Sequence, residues 1–463
     1  MRGRTQALLL AGLLLAVPAA AQEQKQAAKQ PSPFGGDAYP STYKPLPRTD
    51  TLLRGATIFD GAERKFDNAD LLLRDGKVAA IGSNLAADGA TVIDAKGRFI
   101  TPGIIDIHSH DGSAPAPLTK MGSDVGEETD PNSANVWIEH AINPQDAGFW
   151  SALSGGVTTM QILPGSGNLF GGRTVVLKNV PGSTSQQMKF PGAAQGLKMA
   201  CGENPKSTWG SKGRFPSSRM GIVAGYREGF QRAADYLRKW NDYQAGSLKE
   251  PPVRDFKLDT LAGVLRGEIK VHIHCYRADE MATVLEVAKE FGFKVAAFHH
   301  AIEAYKIPDL LKRDGACAVV WPDWWGGKAE AYDGIRENAA FVDAAGACVT
   351  LHSDIRIAQS RLNVELAKAV AAGRRAGLNI PTEHAIAWIT RNPATVLGIA
   401  DRTGSLEVGK NADLVVWSGD PLSIYSRADQ VFVDGARIYD RSDPTRQPLT
   451  DTMLGQPVTK AVQ

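Results

Sequence analysis

Between Gly103 and Asp401, short apolar runs alternate with helical stretches, and that succession leaves few folds open. The runs are GIIDIHSH (103–110), GVTTMQILPG (156–165), AQGLKMACGE (194–203), EIKVHIHC (268–275), KVAAFHH (294–300), ACAVVW (316–321) and ACVTLHSD (347–354). Stretches of helical period separate several of them, RADEMATVLEVAKEFG (277–292) and SRLNVELAKAVAAG (360–373) among them. In the first, Met281, Leu285, Val287, Ala288 and Phe291 recur at near-helical spacing. A strand needs a long crossover to reach a parallel neighbour, so this alternation predicts an α/β fold with a parallel sheet. Seven strands are legible. The eighth strand of a (β/α)8 TIM barrel is expected within 205–265, a region helical at REGFQRAADYLRKW (227–240). The alternative, an open doubly wound sheet, lacks a G-x-G-x-x-G following a strand.

The flanks are written in another style. Residues 50–100 hold TLLRGATIFDG, ADLLLRDGKVAAIG and ATVIDAKGRFITPG, short apolar runs broken by Asp-Gly and Lys-Gly turns. GSLEVGKNADLVVWSGD and ADQVFVDGARIYD, within 404–440, repeat that style. Neither flank has enough strands to stand alone. We expect residues 49–100 and 402–445 to combine as a small composite β-sandwich beside a barrel spanning 101–401.

The chain opens with MRGRTQALLLAGLLLAVPAAAQ: two arginines, an apolar run from Ala7 to Val17, and Ala19-Ala20-Ala21. The order matches a secretory signal, and the run is too short to span a bilayer comfortably, which sets the reading against a membrane anchor. Residues 1–21 are expected to be removed, with export to a bacterial periplasm and no stable membrane anchor afterwards. Residues 22–48, polar and rich in Pro and Gly, read as a flexible lead-in. Loss of Arg2 and Arg4 takes the formal charge from +2 to 0. With no basic block, the chain lacks the footprint that phosphate binding needs, and nucleic acid is not an expected partner. The four cysteines, Cys201, Cys275, Cys317 and Cys348, sit in or beside apolar runs with no close C-x-x-C pair. Buried free thiols are the expectation over two disulfides, because a chain this long builds its core without staples.

Polar residues end several of the central runs. His108 and His110 are two apart, so an extended backbone turns both to one side. His274, the pair His299 and His300, and Asp354 each stand where an apolar run gives way to polar residues. In a parallel barrel those carboxyl ends share one face, which carries the active site. Imidazoles and a carboxylate meeting there supply the nitrogen and oxygen ligands of a catalytic metal. His272 and His352 share faces with His274 and Asp354 but lie one layer deeper. His140 and His384, in loop or helix contexts, read as structural.

From about Thr51 to Asp440 the chain resembles the metal-dependent amidohydrolase superfamily, in particular its imidazolonepropionase-like and prolidase-like branch. ITPGIIDIHSH, GVTTMQILPG, the histidines at 274 and 300, LHSD, ITRNPATVLGI and GSLEVGKNADLVV carry the resemblance. It implies the barrel with its composite domain, and metal ligation by His108, His110, His274, His300 and Asp354. His300 is preferred to His299 because relatives place the ligand beside a small residue, here Ala301. A bridging ligand is expected from Lys198, as a carboxylated lysine, or from Glu203.

The chemistry so implied is hydrolysis of a C–N bond (amide, lactam or peptide). One or two divalent ions per subunit, zinc ahead of iron or manganese, lower the pKa of water toward 7. Asp354 serves as general acid/base, taking a proton during attack and returning it to the leaving nitrogen. Small-molecule amides, dipeptides or cyclic amides are the expected substrates; homo-oligomerisation stays open. Arg277, Ser166 in the PGSGN loop, and Tyr332 near the WPDWWGG cluster (321–327) are candidates for substrate binding. Each has an ordinary alternative: a surface helix-start arginine, a plain Gly-rich turn, rim packing. Two further readings remain, a single-metal ring deaminase and a ligand-binding barrel without catalysis.

Overall fold

The computed structural model describes residues 30–116, 118–323 and 327–443. The expected leader (1–21), the first part of the lead-in (22–29), Trp324, Trp325 and residues 444–445 lie outside the described residues. The chain divides into two units, 1–32 and 33–463, and the second holds every element below. Among the described residues no helix is long and apolar enough to cross a membrane.

Five strands come first: β1 (Thr51–Phe59), β2 (Lys65–Arg74), β3 (Lys77–Gly82), β4 (Thr91–Asp94) and β5 (Phe99–Pro102). The central region supplies β6 (Ile104–Ser109), β7 (Val157–Ile162), β8 (Phe170–Arg173), β9 (Val175–Lys178), β10 (Gly196–Ala200), β11 (Lys270–Cys275), β12 (Val295–His300), β13 (Cys317–Val320) and β14 (Val349–Leu351). The last strands are β15 (Leu414–Trp417), β16 (Ala428–Val433) and β17 (Ala436–Asp440). Strands from both ends of the chain share one eight-stranded sheet, ordered β17-β16-β15-β5-β1-β2-β3 with β4 beside β1. Leu53, Ile58, Leu71, Leu73, Ile100, Leu414 and Phe432 pack as one apolar cluster in it. That cluster is why neither flank suffices alone: each buries its apolar face against the other.

The central strands form two sheets, β6-β7-β9 and β14-β13-β12-β11-β10-β8. All seven runs legible in the sequence are strands here, and β6–β7 and β10 through β14 pair in parallel. Their residues are almost wholly buried on both faces, as parallel strands covered by helices must be. No eighth strand lies in 205–265. That region forms α1 (Glu203–Gly210), α2 (Arg219–Ala245) and α3 (Phe256–Leu265). Ser218 caps α2 by accepting the Gly221 N–H, and Gly246 ends it in the left-handed region. The stripe Ile222, Tyr226, Phe230, Ala233, Tyr236 and Trp240 gives this helix its buried face. The chain between β7 and β10 instead runs antiparallel to both: β9 pairs with β7, and β8 with β10. At the other edge the Asp354 N–H, just past β14, donates to the His108 carbonyl of β6 at 2.9 Å.

Two expectations need correction. The cysteines are not free thiols: Cys201 is bonded to Cys275, and Cys317 to Cys348. Ala200 pairs with His274, and Ala318 with Val349, so the residue after the first pair and before the second sit opposite each other. Register between separate strands is a tertiary fact that cysteine spacing does not contain. Nor is the described part of the lead-in loose. Phe34 is buried between the rings of Tyr236 and Trp240, and the Tyr43 hydroxyl donates to Asp434 Oδ2 at 2.5 Å. A few aromatic rings are enough to tie down a segment whose composition is that of a linker.

Candidate metal centre

The second sheet and β6 deliver six buried histidines to one place. His108 leaves β6 with its Nδ1 2.9 Å from His299 Nδ1 and its Nε2 3.3 Å from Lys198 Nζ. His110, past the strand end, has its Nδ1 2.8 Å from the Leu163 carbonyl and its Nε2 3.2 Å from Asp354 Oδ1. The same carboxylate oxygen is 3.3 Å from His108 Nε2. His108, His110 and Asp354 therefore present three donor atoms within 4.8 Å of one another, and His108, His300 and His352 present a second such group. The rings of His274 and His300 are 4.4 Å apart.

Alternation along a strand would send His299 and His300 to opposite sides. Both reach His108, at ring separations of 4.7 and 5.0 Å. The backbone explains it: His300 has φ 71° and Ala301 φ 36°, in the left-handed region, so the pleat ends in a reversal. Asp354 has φ 59°, and such strain in non-glycine residues gathers where geometry serves a site. The two neighbouring histidines differ in their partners. His299 engages imidazole nitrogens at both ends, its Nε2 lying 3.0 Å from His272 Nδ1. Among the described residues, His300 Nδ1, both nitrogens of His274 and both of His352 have no hydrogen-bond partner.

Unpaired buried polar atoms cost about 1–3 kcal/mol each, so a fold keeps several together only for a reason. Burial holds His108, His274, His299 and His300 well below the ordinary imidazole range, and pushes His272 and His352 down to about 3. The rings are thus neutral at physiological pH, the form that donates to a metal. Burial would raise Asp354, but its bond to His110 and the charges around it hold the carboxyl well below the usual range. Neutral imidazoles with free nitrogens beside an ionised carboxylate fit a divalent cation.

Lys198 is fully buried, and no carboxylate lies within ion-pair distance of it among the described residues. Burial pushes its ammonium down to about 8, against the smaller upward pull of Asp354. Glu203 lies elsewhere: it opens α1, its N–H donating to Glu330 Oε1 at 2.6 Å, and it belongs to neither ligand group. Asp106, which went unnoticed in the sequence, braces the centre. It accepts the N–H groups of His108 and Ser353, both at 3.2 Å, and the Ser353 hydroxyl. Burial lifts its carboxyl to about 6. Tyr276 stacks on His274 at 4.8 Å, and Trp321 covers His300 and His352 at 4.4 and 4.8 Å. Trp321 opens the WPDWWGG cluster that the sequence singled out, whereas only its position just past the histidine-bearing β11 could have signalled Tyr276.

The substrate candidates fare differently. Arg277 is not aimed at the centre: its side chain is 41% exposed and holds Asp279 with two bonds of 2.9 Å. Tyr332 is 91% exposed, with no bond or ring contact joining it to the imidazoles among the described residues. Ser166 is half-buried in a loop whose backbone is spent on its own fixation. Gly165 N–H donates to Val125, and Gly167 accepts from the Trp209 indole. A pocket of about 590 Å3 opens beside that loop. Pro164 and Gly171 form part of its wall; Pro164 follows the carbonyl that holds His110, and Gly171 lies against Lys198.

The chain is similar to several known proteins. Residues 328–440 match the model of the Amidohydrolase family. The crystal structure of an amidohydrolase from Thermotoga maritima superposes with a TM-score of 0.79 at 35% identity, covering 84% of this chain and all of that one. Amidohydrolase tasK of Hapsidospora irregularis is 31% identical over 83% of this chain, which spans only 42% of that relative's length. An imidazolonepropionase of Brucella anthropi is 25% identical over 79% of this chain and 91% of its own.

Proposed function

Since this chain belongs to the amidohydrolase family and is a hydrolase of carbon–nitrogen bonds, we propose that its histidine centre directs water onto a small amide, such as a dipeptide or a cyclic amide. One observation carries the reading: a buried group of neutral imidazoles, several of their nitrogens unpartnered among the described residues, lies beside the ionised carboxylate of Asp354. His108, His110, His274, His300 and Asp354 would hold the cation, with His352 close enough to join, and Lys198 rather than Glu203 would bridge a second ion as a carbamate. A divalent cation, zinc in this proposal, supplies the Lewis acidity that polarises a carbonyl and makes water nucleophilic near neutral pH.

The chain's own groups do the rest. Asp354, kept ionised, takes one proton from the attacking water and passes it to the departing nitrogen, so an acid and an amine leave. Its position is set by the bond from His110 and by Ser353, which Asp106 clamps. Trp321 and Tyr276 wall the imidazoles and exclude bulk water from the carboxylate's surroundings. We further infer that the two central sheets are arcs of one (β/α)8 barrel, with the eight-stranded sheet as its composite companion domain, and that the chain is exported to a periplasm.

The test combines metal analysis of the purified protein with a screen of dipeptides and cyclic amides, before and after chelation. Stoichiometric divalent metal and chelator-sensitive hydrolysis are expected. A metal-free protein indifferent to chelators, or release of ammonia from a ring as the sole reaction, would overturn the proposal. Export is checked by cell fractionation, with the mature N-terminus at Gln22 as the expected result.

A further inference from the structure

Lys328 presents a cation at this centre that no carboxylate of the described residues pairs directly; Glu203, Glu330 and Asp354 act on it only from beyond ion-pair distance. Its ammonium is half-buried, and no carboxylate comes within ion-pair distance among the described residues. Its two partners are neutral oxygens, Asn204 Oδ1 at 2.8 Å and the Tyr276 hydroxyl at 3.2 Å. An ammonium has three N–H donors, so one remains uncommitted. Glu330, the nearby acid on the same segment, is itself taken by Arg219 and by the Glu203 N–H. Sequestering a charge without a directly paired counter-ion is costly, and burial lowers the Lys328 ammonium below its ordinary range against the smaller upward pull of Glu203, Glu330 and Asp354.

The position is as informative as the charge. Lys328 Nζ sits 4.6 Å from the centre of the Tyr276 ring, and that ring stacks 4.8 Å from His274. The ammonium therefore lies within about 10 Å of an imidazole with two free nitrogens. One residue of extended chain spans about 3.3–3.6 Å. A charge-assisted N–H···O bond adds about 2.8 Å. About 10 Å is the outer limit of that separation and these two spans cover about 6 Å of it, so a scissile carbonyl held on the Lys328 side of the imidazoles brings a carboxylate one residue away into reach of Lys328. Arg277, the residue the sequence offers for such a task, is occupied by Asp279.

Resting on the hydrolase reading above, we propose that Lys328, with the Tyr276 hydroxyl beside it, anchors a substrate carboxylate one residue beyond the scissile amide. This makes the pair a specificity determinant. It selects N-acylamino acids or dipeptides with a free carboxyl end over neutral lactams and over amides capped at that end.

The experiment uses the metal-loaded enzyme and a panel of N-acetylamino acids and dipeptides, each paired with its carboxamide. For the best pair, Lys328→Met is expected to raise KM at least tenfold for the free acid and to leave the carboxamide within twofold. Lys328→Arg should retain most of the preference. Tyr276→Phe, which keeps the ring on His274, should weaken the acid selectively by a smaller factor. Equal losses on both members of a pair in Lys328→Met overturn the assignment while hydrolysis itself stands. A wild-type protein that cleaves no member fails the hydrolase reading instead. Binding then decides the inference separately: quenching of intrinsic tryptophan fluorescence by the free acids should be saturable in wild type and weakened tenfold in Lys328→Met, and equal binding by both proteins overturns it. If Lys328→Met does not fold, loss of acid selectivity in Tyr276→Phe supports the proposal and its retention refutes it.

Discussion

Replacing Lys198 with methionine separates what this residue costs the fold from what it does for the site. The side chain is fully buried without a counter-ion, and its ammonium is pushed from 10.5 down to about 8. The unfolded chain therefore binds the proton more tightly than the folded one. The penalty on folding is complete below about pH 8 and fades as pH rises toward 10.5. A displacement of that size corresponds to about 3 kcal/mol at neutral pH. Methionine forfeits the contact with His108 Nε2, a bond worth about 1 kcal/mol net. Lys198→Met should consequently be more stable than wild type by about 2 kcal/mol at pH 7, with the gain gone above pH 10.5. The comparison is made by urea unfolding of chelated proteins, reading the midpoint at constant m. The same shift serves the proposed chemistry, because only a neutral amine adds to carbon dioxide. At pH 7 the neutral fraction rises from roughly 1 in 3,000 to about 1 in 10. Lys198→Met and Lys198→Ala should thus lose metal and activity, with short-chain acids partly restoring the alanine variant. A methionine variant that is less stable, or either variant with full metal and turnover, would refute this account of the lysine.

Other expectations are independent of it. Asp354→Asn should keep its metal, measured by elemental analysis, while kcat falls about 10²–10⁴-fold, the usual range for lost acid–base catalysis; an unchanged kcat sends the proton elsewhere. Because Cys201 and Cys275 are 74 residues apart, opening that disulfide by Cys201→Ser with Cys275→Ser should cost about 4 kcal/mol in urea unfolding. Opening the bridge across 31 residues, Cys317 to Cys348, should cost slightly less, and no loss in either case would mean the bridges are not formed in solution. Glu203→Gln should hold as much metal as wild type, since its carboxylate belongs to neither ligand group; metal loss there would move the bridge from Lys198 to Glu203.

The sequence by itself determined the elements and the ingredients. Apolar runs too short for helices, punctuated by helical stretches, left parallel strands as the only way to bury both faces. His108 and His110, two apart, were bound to share a side, and polar residues closing several runs marked a rim. What it could not determine was everything that depends on register and on breaks in regular backbone. The pairing of Ala200 with His274 made two disulfides of cysteines that spacing left unassigned. A left-handed turn at His300 brought two consecutive histidines to one side against the rule of alternation. The Phe170–Lys178 run joined the two central sheets antiparallel, and 205–265 folded as helices rather than the expected strand. Lys328, 54 residues beyond His274 and on another segment, reached the imidazoles only through the ring of Tyr276. Local patterns record which face a residue presents within its own element. Which residues of different elements touch is set by how the elements pack, and the charges and free nitrogens that make the site are settled there.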